Sequence, residues 1–168
     1  MLPAETQARG ICLTLLTARP RSRAELAEAL RRKGFSEEVS ESVLDRLGEV
    51  GLVDDASFAE TAVYSGRTHR HLGRRALSAE LRRRGVPDGI AREVVAAVPP
   101  EDEEQRAREL VRRKLRAGIG QDPSVLARRL AGMLARKGYS EGLTWRVVRD
   151  ELGPCDWAGE GKGDPNPD

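Results

Sequence analysis

Hydrophobic positions along the chain recur at helical spacing. Ala8, Ile11, Cys12, Leu15 and Leu16 follow i, i+3, i+4, i+7 and i+8, so they share one face of a helix. Runs of alternating apolar and polar residues, which would predict strands, are missing. The pattern therefore predicts an all-α protein.

One pattern occurs three times, in the segments 26–37, 77–88 and 130–141. Each has two leucines four residues apart, then basic residues, a glycine and an apolar residue. The cations and the glycine favour a helix C-terminus, because cations oppose the negative end of the helix dipole and glycine adopts the left-handed cap. The glycines are Gly34, Gly85 and Gly138. We predict a helix, a tight corner and a second helix in each segment.

Start signals complete these helix pairs. Ser36 and Ser140 follow the first and third corners as expected N-caps, and Pro87 suits the first helical position after the second corner. Ser22 and Glu25 have capping-box spacing.

A further amphipathic helix is predicted before each pair, so each unit has three helices. The expected boundaries are 1–53, 54–100 and 101–153. Units of this size have small cores, so we expect neighbours to touch and to form an elongated, curved array. Residues 154–168, rich in Gly, Pro, Asp and Asn, are expected to be a disordered tail.

The basic residues are segregated, although the net charge of the chain is only +2. Residues 67–84 carry seven arginines with Glu80 as the only acid, and a second basic stretch covers 106–116. The candidate binding residues are Arg67, Arg70, Arg74, Arg75, Arg82, Arg83, Arg84, Arg112 and Arg113. For a single arginine a solvated helix face is the favoured interpretation, whereas the 67–84 cluster as a whole favours a phosphate or acidic protein partner. Aromatic residues are only 4% of the chain, so any DNA contact should be mainly to the backbone.

No pattern indicates catalysis, a cofactor or a metal. A phosphate-binding glycine loop is missing, and His69 and His71 lack the spacing of a helical metal pair. Asp54 and Asp55 could form an acid/base or metal pair, but the favoured role for Asp55 or a neighbour is to cap a helix that begins near Ser57.

The environment of the chain is also suggested by its sequence. Cys12 and Cys155 form no disulfide framework, which fits a reducing cytoplasm. Neither a signal peptide nor a membrane span is evident, so we expect a cytoplasmic protein with no membrane contact.

The segment Gly51-Leu-Val-Asp-Asp-Ala-Ser-Phe-Ala59, together with the triple repeat, resembles the RecX family of bacterial recombination regulators. The resemblance covers about residues 8–152. Its motif residues are Asp54, Asp55, Phe58, Ala59, Gly73, Leu81 and Gly85.

The resemblance implies a function without catalysis. Members of this family bind the RecA filament on DNA, within its groove or as a cap, and inhibit ATP hydrolysis, strand exchange and coprotease activity. It implies a regulator of homologous recombination, DNA repair and the SOS response that uses no cofactor. The expected partners are RecA and DNA. Single-stranded DNA is the main expected form, and double-stranded DNA is the second. The expected state is a monomer. The alternative is an independent DNA-binding protein of helix-turn-helix type, since each repeat contains a suitable helix pair.

Overall fold

The computed structural model describes residues 2–118 and 120–153. Within these ranges the chain is all-helical, as predicted, with nine helices and no strand. The helices are α1 Pro3–Ala18, α2 Arg23–Arg32, α3 Glu37–Glu49, α4 Asp55–Arg70, α5 Arg74–Arg83, α6 Asp88–Ala96, α7 Pro100–Ala117, α8 Pro123–Arg136 and α9 Glu141–Leu152. The predicted disordered tail at 154–168 lies outside the described residues.

The helices form three successive groups, here called repeat 1 (α1–α3), repeat 2 (α4–α6) and repeat 3 (α7–α9). By contacts, the chain divides into two compact units. The first contains the chain up to Gly66 together with Leu77–Ala97, and the second contains Arg67–Ala76 and the chain from Val98 onwards. Each unit is described here by itself.

Side-chain caps set the helix starts. Ser22 accepts from the Glu25 N–H while Glu25 accepts from the Ser22 N–H, so the predicted capping box is present. Ser36 and Ser140 cap α3 and α9 in the same way, by accepting from the N–H three residues on. Pro87 is the N-cap of α6 rather than its first residue, because Asp88 is the first residue with helical geometry.

The three corners are built as predicted. Gly34, Gly85 and Gly138 have φ values of +87°, +77° and +93°, in the left-handed region where a side chain is strained. After the second and third corners, Val86 and Tyr139 are buried. The local sequence therefore specifies each change of chain direction.

Repeats 1 and 3 have cores made mainly of Leu, Val and Ala. In repeat 1, Cys12 lies among the buried leucines of α2 and α3, and burial raises the pKa of its thiol. In repeat 3, α9 packs against both α7 and α8, while α7 and α8 contact each other sparsely. This separation leaves a cleft between α7 and α8.

Candidate binding surface

The acidic pair of the family motif positions backbone. Asp54 Oδ1 accepts from the Ser57 N–H at 3.1 Å, and α4 begins at Asp55, so Asp54 is the cap of that helix. Asp55 Oδ1 accepts from the Arg23 N–H at 2.9 Å and so joins α4 to the start of α2. Both carboxylates therefore have structural partners.

The apolar motif residues belong to the interior of the first unit. Phe58, Ala59 and Leu81 are all buried, with 5% of Phe58 exposed. The guanidinium of Arg84 lies 4.5 Å from the centre of the Phe58 ring, a cation–π contact.

The two motif glycines lie at joints of the same design. In the first unit, the Ser22 hydroxyl donates to the Arg84 carbonyl, and a methyl group at Gly85 would overlap the Ala24 side chain. The joint brings the start of α2 against the corner that follows α5.

The same contact recurs in the second unit, one repeat further along. The Gly73 N–H donates to the Lys137 carbonyl at 2.8 Å, and the Arg75 N–H donates to the Gly138 carbonyl at 3.1 Å. A methyl group at Gly73 would lie 2.7 Å from the Gly138 backbone. Glycine is required at Gly73 because the Gly138 backbone approaches closely, and at Gly85 because φ is positive and the Ala24 side chain fills the space of a Cβ.

Four of the nine predicted arginines pair inside the protein. Arg84 pairs with Glu25 at 3.0 Å, Arg67 with Asp102 at 3.2 Å, Arg74 with Glu103 at 3.0 Å and Arg112 with Glu151 at 2.9 Å. Each pair joins residues far apart in sequence. The side chains of Arg67 and Arg84 are only 17% and 27% exposed, so these two contribute more to structure than to an open surface.

The partners of these arginines have shifted pKa values. Burial opposes ionisation of Glu25, but hydrogen bonds from Arg84 and from the Ser22 N–H outweigh burial and lower its pKa. Burial raises the pKa of Glu103, and the nearby Arg74 only partly offsets this effect. Burial, followed by the charge of Glu103, raises the pKa of Tyr139.

Four other predicted arginines present exposed side chains. Arg75, Arg82, Arg83 and Arg113 are exposed, and none of them pairs with an acid within residues 2–118 and 120–153. The ninth, Arg70, is exposed, and its carbonyl accepts from Lys137 Nζ at 3.0 Å. The structure therefore separates the predicted cluster into internal and surface members.

The adjacent arginines Arg82 and Arg83 occupy the last turn of α5. Their counterparts in α2, Arg31 and Arg32, both pair with Glu28, at 2.7 Å and 2.9 Å. Ala79 stands in α5 where Glu28 stands in α2. Arg82 and Arg83 therefore keep their full charge available to an external partner.

His71 is a residue whose backbone the sequence did not single out. It is the only non-glycine residue with positive φ in the described part of the chain, at +52°, and its carbonyl accepts from the Tyr139 hydroxyl at 2.6 Å. Burial, then the charge of Arg113, lowers its pKa. Its role in the second joint could not be found from sequence, because its hydrogen-bond partner Tyr139 lies 68 residues further along the chain.

Metal ligands do not cluster in the described ranges, where no group of three or more His, Cys, Asp or Glu side chains could hold an ion. Within the same ranges, no helix combines the length and the apolar character needed to cross a membrane.

These features define a class: an all-helical protein of three successive three-helix groups. Family models for the first, second and third three-helix domains of RecX match residues 8–47, 54–95 and 101–148. The chain belongs to the RecX family.

Individual relatives agree with this assignment. The regulatory protein RecX of Thermobifida fusca is 57% identical over 146 residues, which cover 87% of this chain and 79% of the relative. That of Streptomyces coelicolor is 54% identical over 146 residues, covering 87% and 78%. The crystal structure of RecX from Lactobacillus salivarius has the same fold, with a TM-score of 0.81 at 18% identity over 89% of this chain and 96% of that chain.

Proposed function

We propose that this protein binds the RecA filament on DNA and inhibits its ATPase, strand-exchange and coprotease activities, by occupying the filament groove or by capping its end. It acts as a cytoplasmic monomer and a non-catalytic regulator of recombination, DNA repair and the SOS response. The family membership supports the kind of partner, and the exposed arginines of α5 suggest how it is held.

The observation that carries the proposal is that the adjacent residues Arg82 and Arg83 are exposed and form no ion pair with a described acid. A guanidinium group can make two parallel hydrogen bonds to a phosphate or a carboxylate, so this pair suits both the DNA backbone and an acidic protein surface. Because Arg82 and Arg83 make no internal ion pair with the described acids, binding costs no broken contact in the protein.

The DNA component of this binding is electrostatic and independent of sequence. Each phosphate neutralised on duplex DNA lowers the slope of log affinity against log salt by about 0.9. With two arginines engaged, we expect the Arg82→Ala/Arg83→Ala variant to have a slope shallower by about 2.

The test is a titration of the protein into RecA from the same organism hydrolysing ATP on single-stranded DNA. The wild type should inhibit, and Arg82→Ala/Arg83→Ala should need about tenfold more protein, which corresponds to about 1.4 kcal/mol. The matched control is Arg31→Ala/Arg32→Ala, which removes two arginines already paired with Glu28 and should leave potency unchanged. Inhibition far below one molecule per RecA would favour capping, and inhibition only near equal amounts would favour the groove.

Two results would contradict the proposal. If both double variants kept wild-type potency, Arg82 and Arg83 would have no role in binding. If the wild type did not inhibit while filaments stayed intact, filament regulation would be wrong. Tight, sequence-selective binding to duplex DNA alone would then favour the independent helix-turn-helix protein.

A further inference from the structure

A cationic cleft lies in repeat 3, between the C-terminal end of α7 and α8. Its volume is about 450 Å³, and its apolar lining includes Leu126, Leu130 and Met133. Its cations are Lys114, Arg128, Arg129 and Arg136, and no acid lines it. The size suits one large side chain with a few polar neighbours.

Arg128 and Arg129 of this cleft bond to neutral acceptors, and the charge of Arg128 acts on Asp122 only at longer range. Arg129 donates to the Gln121 side chain at 3.2 Å, and Arg128 donates to the Ser124 carbonyl at 3.5 Å, both neutral acceptors. None of the four cations forms an ion pair with an acid of the described ranges. The cleft therefore suits a ligand that combines an apolar group with negative charge.

The cleft is not another joint of the kind found in repeats 1 and 2. In those joints a small residue in the first turn of a helix, Ala24 of α2 or Ala76 of α5, lies against the corner glycine of the next repeat. In α8 the equivalent positions are Arg128 and Arg129, because that helix extends about one turn further towards its N-terminus. Arginine side chains are too large for this close packing, so this face of α8 is not built as a further joint.

We propose that the C-terminal segment of this same chain, residues 154–168, docks into the cleft. Trp157 supplies the apolar group, and Asp156, Glu160 and Asp164 supply negative charge against Lys162 as the only cation of the segment. The segment has the complementary charge and an aromatic anchor of suitable size.

The route from α9 to the cleft is short. Arg146 contacts Glu104 at 2.9 Å, and Glu151 contacts Arg112 at 2.9 Å, so α9 runs parallel to α7 and ends near the end of α7. Lys114 lies one half-turn beyond Arg112, on the far side of α7. The path round half of α7, a cylinder about 10–12 Å across, is about 16–19 Å, and five extended residues from Leu152 to Trp157 span about 17 Å, to which the length of the Trp157 side chain is added.

Tethering makes even a weak contact effective. A segment joined by a short linker has an effective concentration on the order of millimolar at its site. Ion pairs at the rim are screened by salt, so docking should weaken as ionic strength rises. Docking would cover four cations, and the proposal stands independently of the RecA proposal above.

The experiment uses the full chain with a nitroxide on Cys155, and measures paramagnetic broadening of backbone amide signals. Cys12 is fully buried, so the label attaches to Cys155. At low salt we expect the amide signals of Leu126, Leu130 and Met133 to lose most of their intensity. The loss should disappear in Arg128→Glu/Arg129→Glu, in Trp157→Ala and at high salt.

The charge-matched control is Arg31→Glu/Arg32→Glu, which should keep the broadening. Absence of broadening in the wild type, or equal broadening in Arg128→Glu/Arg129→Glu, would overturn the proposal. Broadening in a mixture of labelled unenriched chain and unlabelled ¹⁵N chain would instead assign the occupant to a second copy. Shifts of these amides with a single-stranded oligonucleotide, without broadening by the label, would assign the cleft to nucleic acid.

Discussion

The last turns of α2 and α5 have the same sequence pattern but different electrostatics. In α2, Glu28 lies three and four residues before Arg31 and Arg32 and binds both, whereas α5 has Ala79 at that position and its two arginines are exposed. The corners that follow also differ, since Gly85 packs on Ala24 while Gly34 has no neighbour within 4 Å of an added Cβ. The same helix–glycine–helix pattern therefore forms a corner without close neighbours in repeat 1, and a corner packed against α2 and preceded by exposed arginines in repeat 2.

The largest effect should come from alanine at the two corners. Gly34→Ala introduces backbone strain alone, about 1–2 kcal/mol. Gly85→Ala adds overlap with Ala24 and should cost about 2–5 kcal/mol. Thermal unfolding followed by circular dichroism should show a clearly larger drop in Tm for Gly85→Ala.

The rescue variant identifies the cause of that drop. Ala24→Gly removes the overlapping side chain, so Gly85→Ala should cost less stability in that background than in the wild type. Equal costs at Gly34 and Gly85 would show that the joint contributes nothing.

The next effect distinguishes an internal arginine from its surface neighbours. Arg84→Ala removes the Glu25 ion pair and the Phe58 contact, so we expect a loss of about 1–3 kcal/mol. Inhibition of RecA per folded molecule should stay at the wild-type level. Arg82→Ala/Arg83→Ala should show the reverse, with unchanged Tm and reduced inhibition. If the two variants changed Tm and inhibition in the same way, the distinction between the internal and the surface arginines would be wrong.

Exchanging the acid between the two helices gives a smaller effect. Ala79→Glu should bind Arg82 and Arg83 as Glu28 binds its partners, and weaken inhibition by about threefold, or about 0.6 kcal/mol. Glu28→Ala should free Arg31 and Arg32 and raise non-specific DNA binding at low salt. Fluorescence anisotropy with a labelled oligonucleotide measures the DNA binding of Glu28→Ala. If neither variant differed from the wild type, the local charge at these helix ends would have no effect on binding.

The smallest effect is the titration of Glu28. Hydrogen bonds from Arg31 and then Arg32 lower its pKa to about 2 from 4.5. Because the folded pKa is depressed, the stabilising contact is present above about pH 4.5 and is lost as pH falls towards 2. Carboxyl ¹³C NMR should show this pKa, and Arg31→Ala/Arg32→Ala should return it towards 4.5; an unshifted wild-type value would contradict the pairing.

The helices, the three repeats and the corner glycines could all be predicted from local sequence. These features depend on local preferences: the spacing of apolar residues, the Ser22 capping box and the need for positive φ at Gly34, Gly85 and Gly138. The family motif was also visible, although the sequence alone left the cap of α4 open between Asp55 and its neighbours.

Which arginines face solvent depends on contacts between distant parts of the chain. Arg84 meets Glu25 across 59 residues and Arg67 meets Asp102 across 35, whereas Arg82 and Arg83 are exposed and meet no acid in the described ranges. Charge counted along the sequence cannot separate these cases, because an ion pair depends on a distance of a few ångströms between side chains that folding brings together. The same reason explains the cleft of repeat 3, whose cations come from two different helices.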